Sequence, residues 1–258
     1  MKKLALLFLL VSNFLSSQTW QQLTSILSNT ISSNQRFDDV FFLNENLGWA
    51  ANGYFSEVFK TTDGGTNWIS QTTGAALGSS HYFRNIEFLD ENIGFLGTLN
   101  NKFYKTIDGG TTWSLVTNIT PNPVAICGLD CVGTSTVYGC GAYFSPAYII
   151  KSTDSGNTWQ YINMSTYADA LVEVLFLDEN IGFAAGKNPT GGVILKTIDG
   201  GTTWTQLYNS NIAGDYVWKL QVLNTNQNII FGSVEGTAPN LGKLTKSING
   251  GLTCWFFR

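Results

Sequence analysis

The chain has 258 residues, of which 43% are hydrophobic, 14% aromatic and only 12% charged, with a formal net charge of −4. Its three arginines, Arg36, Arg84 and Arg258, are scattered, which excludes a nucleic-acid partner, because phosphate neutralisation needs clustered Lys and Arg. Glycine at 27 copies and the aromatic content suit short strands joined by turns, not helices.

From the N-terminus, Lys2 and Lys3 precede an apolar run, Leu4 to Val11, that ends near the small residues Ser16 and Ser17. This is the pattern of a secretory signal peptide, expected over residues 1–17. The run is too short to span a bilayer, which takes roughly 18 to 20 apolar residues, and no later stretch approaches that length. A secreted protein, extracellular or at the cell surface, or periplasmic, is expected. Removal of the two lysines leaves 12 basic against 18 acidic residues, a net charge near −6. Residues 18–258 are expected to form a single all-β domain.

Within that domain an eight-residue phrase returns at a nearly constant interval. It reads TTDGGTNW at 61–68, TIDGGTTW at 106–113, STDSGNTW at 152–159 and TIDGGTTW at 197–204, with a looser copy, SINGGLTCW, at 247–255. The tryptophans Trp68, Trp113, Trp159, Trp204 and Trp255 are spaced by 45, 46, 45 and 51 residues. Such a period marks a repeat architecture. A second phrase lies between the boxes, FLNENLGW at 42–49 and FLDENIGF at 88–95 and 176–183.

The fourth unit shows how each copy folds. Val172, Val174 and Phe176 alternate along a first strand, Asp178 to Gly182 turns, and Gly182 to Gly186 opens a second. Val193 to Lys196 gives a third, and the box turns the chain into a fourth over Thr203 to Tyr208. Four short antiparallel strands in about 46 residues is the size of one propeller blade. Trp20 to Leu23 resembles Trp204 to Leu207, a fourth strand without its own blade, suited to completing the last blade and closing the ring.

The boxes resemble the Ser/Thr-x-Asp-x-Gly-x-Thr-Trp pattern of BNR or Asp-box repeats of the sortilin and sialidase type. With the phrase ending in Gly-Trp or Gly-Phe, the chain is similar to the photosystem II assembly-factor-like propellers and their secreted bacterial relatives. The resemblance covers Trp20 to Trp255 and implies a β-propeller of four-stranded antiparallel blades, five encoded. The fifth box departs from it, with Asn249 for the Asp and Cys254 as an extra residue, which puts its hairpin geometry in question. The end at Arg258, soon after that box, is read as a truncated larger ring or a frameshifted tail, since similar secreted proteins continue with further blades and a sorting domain.

Asp63, Asp108, Asp154 and Asp199 recur as identical parts and are read as turn hardware that accepts backbone N–H groups, with Gly65, Gly110, Gly156, Gly201 and Gly251 supplying positive φ. The box tryptophans are read as packing where blades meet. Asp90–Glu91 and Asp178–Glu179 also recur, in one turn, and neighbours in a turn seldom hold the separation across a substrate that glycoside hydrolysis requires.

Selectivity is expected where the copies disagree, in the second-to-third and fourth-to-first connections around the channel mouth. These carry Tyr54, Phe55 and Glu57; His81, Tyr82 and Arg84; Tyr143, Phe144 and Tyr148; Tyr167; and Asp215, Tyr216 and Trp218. A ring of aromatics there suits sugar rings or a partner's apolar side chains. His81, the only histidine, has no Ser or Cys motif beside it, so no catalytic residue is expected.

Cys127, Cys131 and Cys140 crowd one segment. Cys127 with Cys140 across a turn near Gly133 is the candidate disulfide, with Cys131–Cys140 the alternative, and no metal site or cofactor is expected. The expected function is a non-catalytic, monomeric scaffold or binding module for protein or glycan. The alternative is a sialidase-like or xyloglucanase-like glycoside hydrolase, although a sialidase needs an arginine cluster that this chain lacks. The acidic chain also lacks the arginine-rich patch of the assembly factors.

Overall fold

The computed structural model describes residues 36–78, 81–253 and 255–257, the last three as backbone alone. The expected signal peptide, the Trp20–Leu23 segment, Cys254 and Arg258 lie outside these residues. Among the described residues, twenty strands form five four-stranded antiparallel sheets, each a meander in strict chain order. Sheet 1 holds β1 (Phe37–Phe42), β2 (Gly48–Asn52), β3 (Glu57–Thr61) and β4 (Ile69–Thr73). Sheet 2 holds β5 (Phe83–Phe88), β6 (Gly94–Thr98), β7 (Phe103–Thr106) and β8 (Ser114–Leu115). Sheet 3 holds β9 (Gly128–Val132), β10 (Thr136–Gly141), β11 (Tyr148–Ser152) and β12 (Gln160–Asn163). Sheet 4 holds β13 (Ala170–Phe176), β14 (Gly182–Asn188), β15 (Gly191–Thr197) and β16 (Thr205–Asn209). Sheet 5 holds β17 (Tyr216–Leu223), β18 (Asn226–Glu235), β19 (Lys243–Ser247) and β20 (Trp255–Phe257).

The boxes are built alike. In sheet 4, Asp199 Oδ1 accepts from Thr197 Oγ1 at 2.8 Å and Thr203 N at 2.9 Å, Oδ2 accepts from Thr203 Oγ1 at 2.6 Å, and Gly201 N donates back to Thr197 Oγ1 at 2.9 Å. The two glycines that follow sit at φ of 67° and 88°, a region closed to most side chains. Donors from Thr158 and Ser152 hold the Asp154 carboxyl down at about 2, and donors from Thr203 and Thr197 do the same for Asp199. That contribution to stability is complete above the ordinary carboxylate pKa and is lost as pH falls through about 2. The fifth box corrects expectation: Asn249 Oδ1 takes the Ser247 hydroxyl at 3.0 Å and Thr253 N at 2.9 Å, and its amide donates to Thr253 Oγ1 at 2.9 Å, so the geometry survives the substitution. Asp199→Asn is therefore expected to lower the melting temperature less than Asp199→Ala, a ranking that thermal denaturation checks.

Between boxes, the Asn or Asp of the second phrase makes an Asx turn. Asp90 Oδ1 accepts from Asn92 N and Ile93 N at 2.7 Å, and Asp178 does the same with Asn180 and Ile181 at 2.8 Å. The glycine that follows has a packing reason: a Cβ on Gly94 would lie 2.4 Å from the ring of Phe88, its cross-strand partner.

First strands pack on first strands, β1 on β5, β5 on β9, β9 on β13 and β13 on β17. Each junction has its own apolar core, made by the second- and third-strand residues of one sheet and the first-strand and box residues of the next. Trp49 stacks on Phe88 at 3.6 Å and Tyr138 on Phe176 at 3.5 Å. A lysine immediately before the box crosses each junction. Lys60, Lys151 and Lys196 donate to the carbonyls of Gly109, Gly200 and Gly250 at 3.0, 2.8 and 3.4 Å, and each lies 5.1 to 5.6 Å over an aromatic ring of its own sheet. Lys105 reaches Asn157 Oδ1 at 3.0 Å instead.

Candidate functional site

The variable connections form two clusters. In the first, Arg36 and Arg84 converge on one buried oxygen, Asp38 Oδ1, at 2.8 and 3.3 Å. Gly53 presses against Asp38 Oδ2 and the Tyr82 ring, which sets the β2–β3 turn beside the arginines. That turn carries Tyr54, 63% exposed, edge-on to Phe55 at 5.4 Å. In the second cluster, Tyr143 and Phe144, both exposed, meet edge-to-face at 4.7 Å. The Tyr216 hydroxyl, from sheet 5, donates to the Tyr143 carbonyl of sheet 3. Tyr216 is buried and stacks on the half-buried Trp218 at 4.9 Å, with Lys187 Nζ 4.8 Å from the Tyr216 ring. The Trp218 indole donates to Glu235.

Four of the first strands carry a register shift towards their loop-face end. The shifts fall between Phe37 and Asp39, Phe83 and Asn85, Leu171 and Glu173, and Val217 and Lys219, so the extra residues are Asp38, Arg84, Val172 and Trp218. A bulge re-aims a side chain without ending the strand, which is why Arg84 and Trp218 reach the loop face from apolar strands.

Several residues expected on this face are elsewhere. Tyr148 is fully buried, stacks on Tyr161 at 4.9 Å and hydrogen-bonds the backbone of Ala125; it is core. Asp215 is fully buried, paired with Lys243 at 2.7 Å and capped by Thr237 N at 3.0 Å. Burial pushes its carboxyl up, but the Lys243 ammonium and Thr237 N–H outweigh it and hold the group below the usual carboxylate range. Tyr167 packs against the core between sheets 3 and 4. Glu57 is half-buried, with Oε2 enclosed and without a hydrogen-bond partner. His81 is buried against Tyr104, and burial followed by the Lys102 charge lowers its pKa.

The expected disulfide is absent. Cys127 and Cys140 lie side by side, with Cys127 N donating to the Cys140 carbonyl at 2.7 Å, yet both are buried free thiols, and the half-buried Cys131 is a free thiol too. Burial pushes the Cys127 thiol up to about 11, which keeps it protonated and unreactive at neutral pH.

A feature not anticipated from the sequence lies on the first strands themselves. Asp39, Glu87, Asp130 and Glu173 come from β1, β5, β9 and β13 and interact electrostatically with one another and with Lys219 of β17. Lys219 Nζ pairs with Glu173 at 2.8 Å. Asp39 accepts Ile86 N at 2.9 Å and Asp130 accepts Phe176 N, each from the next sheet, so two of these carboxylates tie adjacent first strands together. Burial, then the charges of Asp130 and Asp39, pushes Glu87 well up, and burial takes Asp130 to about 7. A folded-state pKa raised above the unfolded value of about 4 contributes stability at low pH that is lost as pH rises towards 7. Glu87→Gln is expected to raise the urea midpoint at pH 8, leave it unchanged near pH 4, and so flatten the profile. A charged residue inside every apolar first strand was the available signal. Among the described residues no helix is long and apolar enough to cross a membrane.

Five four-stranded antiparallel sheets packed through their first strands have the fold of a β-propeller. No family model matches the chain, and no curated relative matches it in sequence. Solved structures do match in fold. One is YCF48 bound to a D1 peptide, at 19% identity and TM-score 0.62, covering 86% of this chain and 66% of that one. Others are a GH74 enzyme of Niastella koreensis, at 23% identity and TM-score 0.66, covering 85% and 38%, and a GH74 xyloglucanase of Xanthomonas campestris, at 14% and 0.65, covering 86% and 38%. The chain thus spans two thirds or less of each of these proteins.

Proposed function

We propose that the protein is an exported, non-catalytic binding module that holds a protein partner on its variable-loop face. The observation that carries this reading is the sorting of side chains. Every repeated Asp is committed to its own turn, whereas the unrepeated Tyr54, Phe55, Tyr143 and Phe144 stand partly or largely exposed beside the Arg36–Arg84 pair and the Tyr216–Trp218 stack. Aromatics and arginine are the residues that dominate protein recognition. The fold likeness to YCF48 bound to a D1 peptide is consistent with a protein ligand. Export rests on the Lys2, Lys3 and Leu4–Val11 pattern.

The GH74 likeness keeps hydrolysis as the second reading, but the unrepeated carboxylates suited to it are poorly placed. Asp215 is locked to Lys243, and Glu57 lies in another sheet. The test is selection of a displayed random-peptide library on the full chain. Selected peptides should bind at least tenfold more weakly to a Tyr54→Ala, Phe55→Ala, Tyr143→Ala, Phe144→Ala variant. Peptide affinity indifferent to these changes would sink the proposal, and xyloglucan turnover abolished by Glu57→Gln would replace it with the hydrolase.

A further inference from the structure

The junctions between sheets follow one rule, and two half-junctions are left over. On the side of each sheet that meets its predecessor, the first strand presents two apolar residues. In sheets 2, 4 and 5 these are Ile86 and Phe88, Val174 and Phe176, and Leu220 and Val222, all buried. At the same registers in sheet 1, Val40 and Phe42 are 59% and 41% exposed. Trp113, Trp159 and Trp204 donate their indole N–H to their own box glycines, whereas the Trp68 indole N–H of sheet 1 is enclosed without an acceptor.

On the side that meets the successor, the third strand presents Val58, Phe103, Ile149 and Ile194, each 3% exposed or less. Their counterpart in sheet 5, Leu244, is 58% exposed. Lys246 lies 5.4 Å over Phe231, as its equivalents lie over Trp49, Tyr138 and Phe183. Those equivalents donate to the first box glycine of the next sheet; Lys246 has no such acceptor among the described residues, and Gly64 is that glycine in sheet 1.

We infer that sheet 5 of one copy docks on sheet 1 of a second copy, head to tail, with Leu244 and Phe231 against Val40 and Phe42 and Lys246 directed at the Gly64 carbonyl. A second copy is the fitting occupant because each leftover face reproduces one half of a contact this chain already makes between its own sheets. Neither face suits itself, since two lysine-bearing faces would repel and two first-strand faces would lack the cation. The contact is therefore heterologous, and it propagates unless the rotation between copies closes a ring. It uses the flanks of sheets 1 and 5 and is independent of the loop face, and it departs from the monomer expected from sequence.

The test is sedimentation velocity on the full chain from micromolar to millimolar concentration. Wild type should give species heavier than one chain that grow with concentration. A Val40→Glu, Phe42→Glu variant and a Leu244→Glu variant should each remain monomeric, because each lacks one half of the contact. Mixed together, they should form a discrete 1:1 dimer, since the intact sheet 5 of the first still fits the intact sheet 1 of the second. Leu244→Ser gives the same reading if Glu disturbs β19, and circular dichroism confirms that each variant is folded. A monomeric wild type at every concentration, which is the result if residues 1–35 of the same chain cover the face, overturns the inference. So does wild-type association that persists in both variants.

Discussion

Phe88→Ala is expected to lower the free energy of unfolding by about 3–5 kcal/mol, the cost of opening a cavity under a fully buried aromatic. The equivalent change one sheet earlier, Phe42→Ala, should cost about 1 kcal/mol or less, as exposed positions do. The two phenylalanines occupy the same register opposite a glycine of the same phrase, so sequence alone would rank them equal. Phe88 is wedged between Trp49, at 3.6 Å, and Trp113, at 6.1 Å, whereas among the described aromatic residues Phe42 meets Trp68 of its own sheet, at 5.9 Å. Urea denaturation of the two variants decides the matter. Equal losses would mean that the exposed face of sheet 1 is covered in solution.

Lys243→Met should be as damaging, at about 3–5 kcal/mol, because it strands the fully buried Asp215 carboxylate in a site built for a pair. Adding Asp215→Asn to that variant should restore most of the loss, which a purely steric effect of the methionine would not allow. In the wild type the Asp215 pKa is depressed, so the pair's contribution is present above the unfolded value of about 4 and fades as pH falls below it. Lys243→Met alone should therefore be least harmful in acid, where Asp215 accepts a proton. Denaturation at pH 7 and pH 4 gives both comparisons.

The strands and turns were readable because the box and the second phrase repeat with their spacing intact. The fourth unit, expected over Val172–Phe176, Gly182–Gly186, Val193–Lys196 and Thr203–Tyr208, forms strands at Ala170–Phe176, Gly182–Asn188, Gly191–Thr197 and Thr205–Asn209. The loop face was half readable. Tyr54, Tyr143 and Phe144 are exposed as the connection lengths suggested, but Tyr148 opens β11 and turns into the core, a difference of one alternation step that no spacing reveals. Asp215 looked free because its partner lies 28 residues on, across β18. The Asp39, Glu87, Asp130, Glu173 and Lys219 cluster was hidden for a different reason. Each residue reads as an ordinary polar interruption of a strand, and only the packing of first strand on first strand makes neighbours of them.

The lysines before the boxes were hidden in plain repetition. Lys60, Lys105, Lys151, Lys196 and Lys246 recur as faithfully as the aspartates, yet a lone lysine beside an aromatic in a strand carries no turn signature. Its meaning comes from the carbonyl it reaches in the following sheet.

The strict chain order of the strands bears on how the molecule is assembled and taken apart. Among the described residues, every strand pairs only with its immediate neighbours along the polypeptide. Stability is then distributed as in a linear array, each unit leaning on the one before and the one after. Among the described residues, units 1 and 5 each pack on one neighbour, and units 2 to 4 on two. Amide hydrogen exchange should accordingly be slowest in β10 and β11 and quicken towards both termini, with the molecule unravelling from its ends.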